Sequence, residues 1–248
     1  MSRESDFERL RVVLVNTRNP LNIGAAARAM SNFGFLHLRV VNPFELAFRE
    51  ARSAVGAASL LAKAEEFKSL GHAVADCSLV VGTTALRGRD PQHPVRNLQE
   101  GALLIRKRLH TGSVALVFGS EKRGLSNEDF SHCRWLLRVR TREEHRSMNL
   151  GQAVAVCLYE LVRDVKLSSV VGTLALAKAG DLERLTSLLL EALEVSGYLK
   201  SHLRSSKPHS AGSAEEKIRR FIRRLDLSAT DAGLLLGMLR QILWKLRS

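Results

Sequence analysis

Three short segments, far apart along the 248-residue chain, carry side chains that could bind or activate a substrate. The first is NPLNIGAAAR, from Asn19 to Arg28, and its small residues would let a helix pack tightly against a sheet. Asn22 and Arg28 stand six positions apart, nearly two helical turns, so both can serve one region. A guanidinium within an apolar helical stretch needs a partner. A neighbouring carboxylate in a structural ion pair would meet that need as well as a substrate would.

The second segment, VFGSEKRGLS, follows an apolar run and contains two glycines and a carboxylate. Gly119 and Gly124 have the spacing of the glycines in a Walker A loop, so a nucleotide hydrolase is one alternative. Leu125 stands where that loop needs its lysine, which disfavours the alternative. Glu121 suits a ligand that is cationic or rich in hydroxyl donors, because a carboxylate only accepts hydrogen bonds. The simpler interpretation is a surface turn before a short helix that Ser126 caps.

The third segment, HRSMNLG, leads into an apolar helical pattern over residues 153–161. Ser147 and Asn149 are both good N-cap residues, and capping requires only one of them. Basic residues approach the pair at Arg140, Arg142 and Arg146. The pair is therefore a candidate for binding as well as for capping.

The elements that must position these segments alternate between strand and helix patterns. Strands are predicted over Arg11–Val15, Leu36–Val41, Ser78–Gly82, Ser113–Phe118 and Trp135–Val139. Helices are predicted over Asn22–Phe33, Leu46–Leu61, Asn97–Leu109 and 149–165. This alternation is typical of a parallel α/β sheet, in which ligands bind at the carboxyl ends of the strands. We therefore expect an α/β domain over residues 1–166.

The remaining residues have a different pattern. After a linker over 167–180, a helical C-terminal domain is predicted over 181–248. Its helices are predicted over Asp181–Val195, Lys217–Leu225 and Thr230–Leu246, with a flexible loop over 201–216. Ser228 and Asp231 form a start to the last helix that is similar to a capping box.

Charge and composition restrict the class of partner. The net charge is +13 and the isoelectric point is near 10.4, which favours nucleic acid, although a merely basic protein or one that binds anionic lipid would share them. No apolar run reaches the length of a membrane span and no signal peptide is evident, so we expect a cytoplasmic protein without a membrane partner. Cys77, Cys133 and Cys157 form no CxxC pair, and the histidines are scattered, so we expect reduced thiols and no metal.

One segment of the tail, KIRRFIRRL, is a candidate for RNA binding. Its apolar stripe consists of Ile218, Phe221, Ile222 and Leu225. Its other side holds Arg219, Arg220, Arg223 and Arg224. Like charges four positions apart weaken a helix, so their crowding indicates a surface that faces phosphate. A solvated face beside a domain or dimer contact is the alternative.

Taken in order, the three segments resemble the signature motifs of the SpoU/TrmH class of RNA 2′-O-methyltransferases in the SPOUT superfamily. The matching residues are N22-x5-R28, L116-VFGSE-KRGLS and S147-MNL. The opening RVVLVNTRNP, the phrase LVVGTTA and the C-terminal KIRRFIRRL with LLLGMLRQI resemble the TrmJ branch of that class. The resemblance therefore extends over essentially the whole chain.

This resemblance implies a SPOUT fold, in which a parallel sheet ends in a C-terminal trefoil knot, here with a small all-α C-terminal domain. It implies S-adenosylmethionine as cofactor, a homodimer with active sites near its interface, and tRNA as substrate, with the ribose of nucleotide 32 in the anticodon loop as target. The catalytic positions are Asn22, Arg28, Glu121, Ser147 and Asn149. The cofactor-binding positions are Thr83, Thr84, Ala85, Gly119, Val139, Ser147 and Met148. Met148 replaces the usual leucine, and the 139–141 segment lacks the proline of many relatives.

The role of Arg28 stays open at this point. The family often casts the matching arginine as a general base, but a guanidinium loses its proton only above about pH 12. A charged side chain that binds phosphate and stabilises a developing alkoxide is the other possibility. Two further alternatives are a methyltransferase for ribosomal RNA and an RNA-binding protein that has lost catalysis.

Overall fold

Two central strands of almost fully buried residues organise a parallel β-sheet. The computed structural model describes residues 6–44, 57–85, 92–145, 147–163, 175–199 and 213–247. The strands are β1 (Leu10–Val15), β2 (Leu38–Val41), β3 (Glu65–Phe67), β4 (Leu79–Thr83), β5 (Val95–Asn97), β6 (Val114–Phe118) and β7 (Trp135–Arg138). They pair in the order β3-β2-β1-β6-β4-β7-β5, and every pairing is parallel. The predicted parallel α/β sheet is confirmed.

The central strand β1 sends alternate side chains to opposite faces of the sheet. Leu10, Val12 and Leu14 belong to the apolar cluster on one face, whereas Val13 and Val15 belong to the cluster on the other. Neighbouring β6 alternates in the same way. Because both faces are covered, these strands appear in the sequence as continuous apolar runs.

Helices cover both faces of the sheet. They are α1 (Pro20–Phe33), α2 (Ala58–Ala62), α3 (Leu70–Ala73), α4 (Leu98–Leu109), α5 (Asn127–Ser131) and α6 (Leu150–Val162). Helices α1, α4 and α6 contribute to the first cluster, and α3 and α5 contribute to the second. A Cβ added at Gly151 of α6 would lie 2.6 Å from the Cβ of Ala25 in α1. Glycine at this position therefore permits the close contact between the two helices.

The ends of α1 and α6 are held by specific side chains. The Oδ1 of Asn19 accepts a hydrogen bond from the amide of Leu21 at 3.0 Å and caps α1. At the far end of α6, Nη1 of Arg106 donates to the carbonyl oxygens of Glu160 at 2.9 Å and Arg163 at 3.1 Å. An arginine at these last carbonyls satisfies groups that the helix itself leaves unpaired. The helix that begins at the third segment is thus anchored at its opposite end.

Three helices follow the α/β part: α7 (Ala179–Val195), α8 (Ala214–Arg224) and α9 (Ala229–Arg247). They share a separate apolar cluster, formed by Ala177, Leu185, Ile218, Ile222, Ala232 and Leu236. The Oγ of Ser228 accepts a hydrogen bond from the amide of Asp231 at 3.1 Å, so the predicted cap of the last helix is confirmed. The division of the chain into two domains stays a prediction.

The structure differs from the prediction mainly at the edges of the sheet. Strands β3 and β5 were not predicted, because each has three residues and largely exposed side chains and so lacks an apolar run. Helix α8 begins three residues earlier than predicted, since the Oγ of Ser213 accepts from the amide of Glu216 at 3.2 Å. Residues 46–56 of the predicted helix Leu46–Leu61, residues 167–174 of the predicted linker and residues 201–212 of the predicted loop lie outside the described ranges.

Neither a membrane span nor a metal site is found in the part of the chain that the structure describes. None of its helices is both long enough and apolar enough to cross a bilayer. No three side chains of His, Cys, Asp or Glu in those ranges are grouped so that they could hold a metal ion.

Candidate active site

The carboxyl ends of four adjacent strands bring the three segments together. In the sheet order, β1, β6, β4 and β7 are neighbours, and all point the same way. The first segment follows β1, the second follows β6, and the third lies between β7 and α6. Loops that follow parallel strands meet at one edge of the sheet. The topology therefore collects segments that are more than a hundred residues apart in the sequence.

A chain of side-chain hydrogen bonds joins one residue from each segment. The Nδ2 of Asn22 donates to Oε1 of Glu121 at 3.0 Å. The Nδ2 of Asn149 donates to Oδ1 of Asn22 at 2.7 Å. The Oδ1 of Asn149 in turn accepts from the amides of Gly151 at 2.9 Å and Gln152 at 3.3 Å, at the start of α6. We call this series, Glu121–Asn22–Asn149, the amide relay.

The loop of the second segment closes tightly on itself. The amide of Gly124 donates to the carbonyl oxygen of Ser120 at 2.8 Å, and Gly124 adopts a φ of 66°, which favours glycine. A Cβ added at Gly119 would collide with the backbone of Gly124 and Leu125. Both glycines of the false Walker A spacing are thus explained by backbone geometry. After the loop, Ser126 caps the start of α5, as predicted, and it forms a capping box with Asp129, which was not predicted.

These loops surround a cavity of about 500 Å³. All seven predicted cofactor positions line it: Thr83, Thr84, Ala85, Gly119, Val139, Ser147 and Met148. Two of them are held by neighbouring strands. The Oγ1 of Thr83 donates to the carbonyl oxygen of Val117 at 3.0 Å, and the amide of Thr84 donates to that of Leu137 at 3.0 Å. The cavity wall is therefore an extension of the sheet.

Four of the five predicted catalytic residues line the same cavity, and one does not. Asn22, Glu121, Ser147 and Asn149 belong to its lining. Arg28 lies further along α1, outside the lining, and is exposed. The reason is helical geometry, because six positions carry a side chain about 120° around the helix axis from Asn22.

Sequence reasoning missed the apolar part of the cavity wall. Leu125 and Phe130 come from the loop and α5, and Leu150, Ala153 and Cys157 come from α6. The α6 residues follow the spacing i, i+3, i+7, which is the signal that could have identified them once Asn149 was taken as the cap. Burial raises the pKa of the Cys157 thiol to about 12, so this thiol stays neutral near pH 7.

The charged rim of the cavity was only partly expected. Lys122 and Arg123 line the cavity beside Glu121, and both are exposed. Arg140 and Arg142, which flank the lining residue Thr141, are exposed as well. A polyanion that approaches the cavity therefore meets positive charge on two sides.

The arginines of α8 lie mostly inside the protein, which corrects the expected phosphate-facing surface. Arg219 donates from Nε and Nη2 to the carboxylate of Glu183 at 2.9–3.0 Å and from Nη1 to Oγ of Ser131 at 3.1 Å. It also pairs with Glu215 in its own helix. Arg223 donates to Oε2 of Glu183 at 3.4 Å. The partners of these arginines belong mainly to α5 and α7, so the sequence of α8 alone could not reveal them.

The remaining residues of α8 complete this correction. Arg220 is also buried, and only Arg224 of the four predicted arginines is exposed. The predicted apolar stripe divides in the same way, because Ile218 and Ile222 are buried whereas Phe221 and Leu225 are exposed. Helix α8 therefore turns part of its basic side inward, towards α5 and α7.

Buried ionisable groups cluster where α8 meets the α/β part. Burial, together with the charges of Arg219 and Arg223, lowers the pKa of His132 to about 4. Burial, together with Arg220 and Arg224, lowers that of His93 to about 4. Burial would raise the pKa of Glu183, but its hydrogen bonds to Arg219 and the positive charges nearby outweigh burial and lower it. Both histidines are therefore neutral at pH 7, and Glu183 is ionised.

Comparison with known proteins identifies the family. A sequence model of the SpoU rRNA Methylase family matches residues 9–159, which include all three segments and the whole sheet. This span is more than half of the 248-residue chain. The chain belongs to the SpoU rRNA methylase family.

The matches to individual proteins extend over nearly the full length of the chain. The tRNA (cytidine/uridine-2′-O-)-methyltransferase TrmJ of Cronobacter sakazakii is 32% identical over 241 residues, covering 95% of this chain and 96% of its own. The tRNA (cytidine/uridine/adenosine-2′-O-)-methyltransferase TrmJ of Pseudomonas aeruginosa is 34% identical over 244 residues, covering 95% and 94%. The crystal structure of TrmJ from Z. mobilis ZM4 superposes with a TM-score of 0.79 at 30% identity, covering 94% of this chain and 98% of that one. The similarity thus includes the helices after the α/β part.

Proposed function

We propose that this chain transfers a methyl group from S-adenosylmethionine to a ribose 2′-oxygen in tRNA, at nucleotide 32 of the anticodon loop. The amide relay carries the proposal, because it joins the three segments at the wall of one cavity. Relatives that match almost the whole chain are named as tRNA 2′-O-methyltransferases. The net charge of +13 suits a polyanionic substrate.

The cavity suits this cofactor in volume and in chemistry. Its volume of about 500 Å³ lies within the range of small-molecule sites, roughly 300–1,000 Å³. Leu125 and Phe130 would hold the adenine ring by apolar contact, and backbone groups between Thr83 and Ala85 would contact its polar edge. When bound, S-adenosylmethionine supplies an electrophilic methyl group on a sulfonium. The carboxylate of Glu121 complements a cation at this position.

The amide relay positions Glu121 for ligand binding. The side-chain Nδ2 of Asn22 and the backbone N–H of Asn19 both donate to Oε1 of Glu121, at 3.0 and 3.3 Å. Among the described residues no hydrogen bond is made to Oε2 of Glu121, which we assign to a hydroxyl of the bound ribose or cofactor. Holding the reacting groups in line accounts for much of the rate, since well-oriented intramolecular reactions gain roughly 7–11 kcal/mol.

Arg28 acts on the nucleophile as a cation in this proposal. A charged guanidinium binds the phosphate beside the target ribose with its planar fork and stabilises the alkoxide that develops on the 2′-oxygen. The 2′-hydroxyl loses its proton to water as the methyl group is transferred and S-adenosylhomocysteine leaves, so this role does not require the guanidinium to accept a proton. Ser147, at the start of the third segment, is assigned to orient the ribose.

A homodimer accounts for the position of Arg28 outside its own cavity. On α1, Leu21, Ala25 and Arg28 are exposed and share one face at the spacing i, i+4, i+7. Leu21 is 80% exposed, and Tyr159 on the adjacent α6 is 54% exposed. We assign this face to the subunit contact, across which Arg28 reaches the cavity of the partner subunit. We also propose that the α/β part contains the trefoil knot and that the protein is located in the cytoplasm.

The rim arginines are assigned to the tRNA backbone. Arg140 and Arg142 lie near the cavity mouth, and Arg224 is the exposed arginine of α8. Phosphate contacts of this kind position a nucleic acid without reading its bases. This assignment replaces the buried arginines of α8 that the sequence had indicated.

The test is methyl transfer with labelled cofactor. The purified chain is incubated with methyl-labelled S-adenosylmethionine and either bulk tRNA or ribosomal RNA, and methylated riboses are mapped by mass spectrometry. We expect label at the 2′-oxygen of nucleotide 32 in tRNA. Label confined to ribosomal RNA would identify the other substrate class. Absence of transfer, together with no calorimetric binding of S-adenosylmethionine, would contradict the enzyme altogether.

Mixing two inactive variants tests the assignment of Arg28. We expect Arg28→Ala and Glu121→Ala each to lose methyl transfer. Half of the randomly mixed dimers would carry one intact site, so the mixture should regain up to about a quarter of the original activity. If Arg28 acts on the cavity of its own chain, the mixture stays inactive.

A further inference from the structure

Helix α9 is apolar on two opposite sides, and within the described residues only one of them is packed against the rest of the protein. The buried side holds Ala232, Leu236 and Leu243. On the other side, Leu234 is 65% exposed, Met238 is 51% exposed and Ile242 is 47% exposed. Successive members of this set are four positions apart, so they form one stripe along the helix. We call Leu234, Met238 and Ile242 the α9 stripe.

Contiguous exposed apolar side chains of this size indicate a contact that the described part of the chain does not make. Single exposed apolar residues are normal, but a continuous row on one helix face is not. One charged residue lies at each end of the row. Asp231 precedes Met238 by seven positions and Lys245 follows it by seven, which places both on the same side as Met238.

Three apolar and two charged residues of α9 are placed symmetrically about Met238, with opposite charges at the two ends. Leu234 and Ile242 lie four positions before and after Met238, and Asp231 and Lys245 lie seven before and after. If a second α9 crosses the first antiparallel at Met238, Leu234 of each copy faces Ile242 of the other. Asp231 of each copy likewise faces Lys245 of the other. In a parallel arrangement, aspartate would face aspartate and lysine would face lysine, which is unfavourable.

Leu246, which is 44% exposed, extends the apolar row by one more residue, and an antiparallel partner would place Thr230 opposite it. Asp231 also accepts a hydrogen bond from Oγ of Ser228 at 2.6 Å, which leaves its second carboxylate oxygen for a partner.

We propose that the α9 stripe packs against α9 of a second copy of this chain, antiparallel, with the twofold axis at Met238. A twofold contact uses the same patch on both copies, and the sequence of the stripe has the self-complementarity that this requires. The inference uses residues of α9 alone and does not rest on the proposed methyl transfer. In the proposed enzyme, it adds a contact between subunits beyond the face that carries Arg28.

Disulfide crosslinking tests both the contact and its direction. The native cysteines, Cys77, Cys133 and Cys157, are all buried, so an introduced cysteine supplies the reactive thiol. We expect Met238→Cys to form a disulfide-linked band at twice the chain mass on a non-reducing gel after mild oxidation. Arg240→Cys is the matched control, because it lies on the same helix but about 160° away from Met238.

Two further variants define the register. In the antiparallel arrangement, Leu234→Cys on one chain would face Ile242→Cys on another, so a mixture of the two should crosslink. Each variant alone should not, because two copies of either position lie about 12 Å apart along the pair and a disulfide needs Cα atoms within about 7 Å. Crosslinking of each variant alone but not of the mixture would overturn the antiparallel pairing. Failure of Met238→Cys to exceed Arg240→Cys would overturn the contact, whatever the methyl-transfer assay shows.

Discussion

At the scale of single residues, Asn149 decides how the groups of the amide relay are oriented. Its Oδ1 accepts from two backbone amides at the start of α6, and a backbone amide can only donate. Its Nδ2 must therefore point to Asn22, which accepts through Oδ1 and donates through Nδ2 to Glu121. The start of one helix thus determines the direction of every hydrogen bond up to the carboxylate.

The relay predicts the outcome of two isosteric substitutions. Asn149→Asp places a carboxylate oxygen against Oδ1 of Asn22, so two acceptors face each other. If the Asn22 amide rotates to donate to the new carboxylate, its Oδ1 then faces the carboxylate of Glu121, which is again a pair of acceptors. We expect the free energy of unfolding to fall by about 1–2 kcal/mol. Adding Glu121→Gln supplies a donor at the other end and lets the relay reverse, so the double variant should recover part of that loss, because only the longer hydrogen bond from the backbone N–H of Asn19 is then lost. Urea unfolding of the two single variants and the double variant measures the coupling.

Strictly additive losses in that cycle would contradict the relay. Asn149→Ser is the control, because serine still caps α6 but cannot reach Asn22 as a donor. Its loss should not be recovered by Glu121→Gln.

At the scale of elements, the loop after β6 depends on the absence of one side chain. Gly119 directly follows the central strand β6, and the backbone of Gly124 and Leu125 occupies the space that a Cβ of Gly119 would need. The turn brings Leu125 back against the cavity wall, and Ser126 then starts α5. The shape of the cavity at this point is therefore a property of the backbone.

We expect Gly119→Ala to open this loop and weaken S-adenosylmethionine binding by at least about tenfold, or 1.4 kcal/mol. Calorimetric titration measures the affinity. Gly233→Ala is the matched control: a Cβ at Gly233 of α9 meets nothing within 4 Å. This control should leave the affinity unchanged and stabilise the protein by about 0.5–1 kcal/mol. Equal affinities of the two variants would contradict the role of the loop.

At the scale of the whole molecule, the helices after the α/β part are joined to it by buried charge as well as by apolar contact. Arg219 of α8 bonds Glu183 of α7 and Ser131 of α5, and His132 lies beside the same carboxylate at 3.9 Å. Breaking such a group leaves an uncompensated charge inside the protein, which costs more than the group contributes when intact. The contact therefore depends on the protonation of its members.

This contact predicts that stability falls in mild acid. In the unfolded chain a histidine titrates near pH 6.5, whereas His93 and His132 have their pKa lowered to about 4 in the folded chain. Between these values the unfolded state binds more protons, so the free energy of unfolding decreases as pH falls from 6.5 towards 4. The loss should be about 2 kcal/mol per histidine at pH 5 relative to pH 8. Urea unfolding at the two pH values measures it.

The variant His132→Gln separates this effect from other titrations. It removes one of the two histidines but leaves the carboxylates in place, so the difference between pH 8 and pH 5 should shrink by about 2 kcal/mol. An unchanged pH dependence would show that His132 is not the responsible group.

The sequence by itself determined the parallel sheet, most of the helices and the polar lining of the cavity. Central strands are buried on both faces and helices on one, so their local patterns predict them. Only the tertiary structure decided that Arg28 lies outside its own cavity, that Arg219 and Arg223 are buried, and that short edge strands complete the sheet. Arg28 lies about 120° around α1 from Asn22, and the packing of α1 decides which of the two faces the cavity. The buried arginines and the edge strands share another physical reason. Each depends on which residues from distant parts of the chain come to face it, and a local pattern contains no record of them.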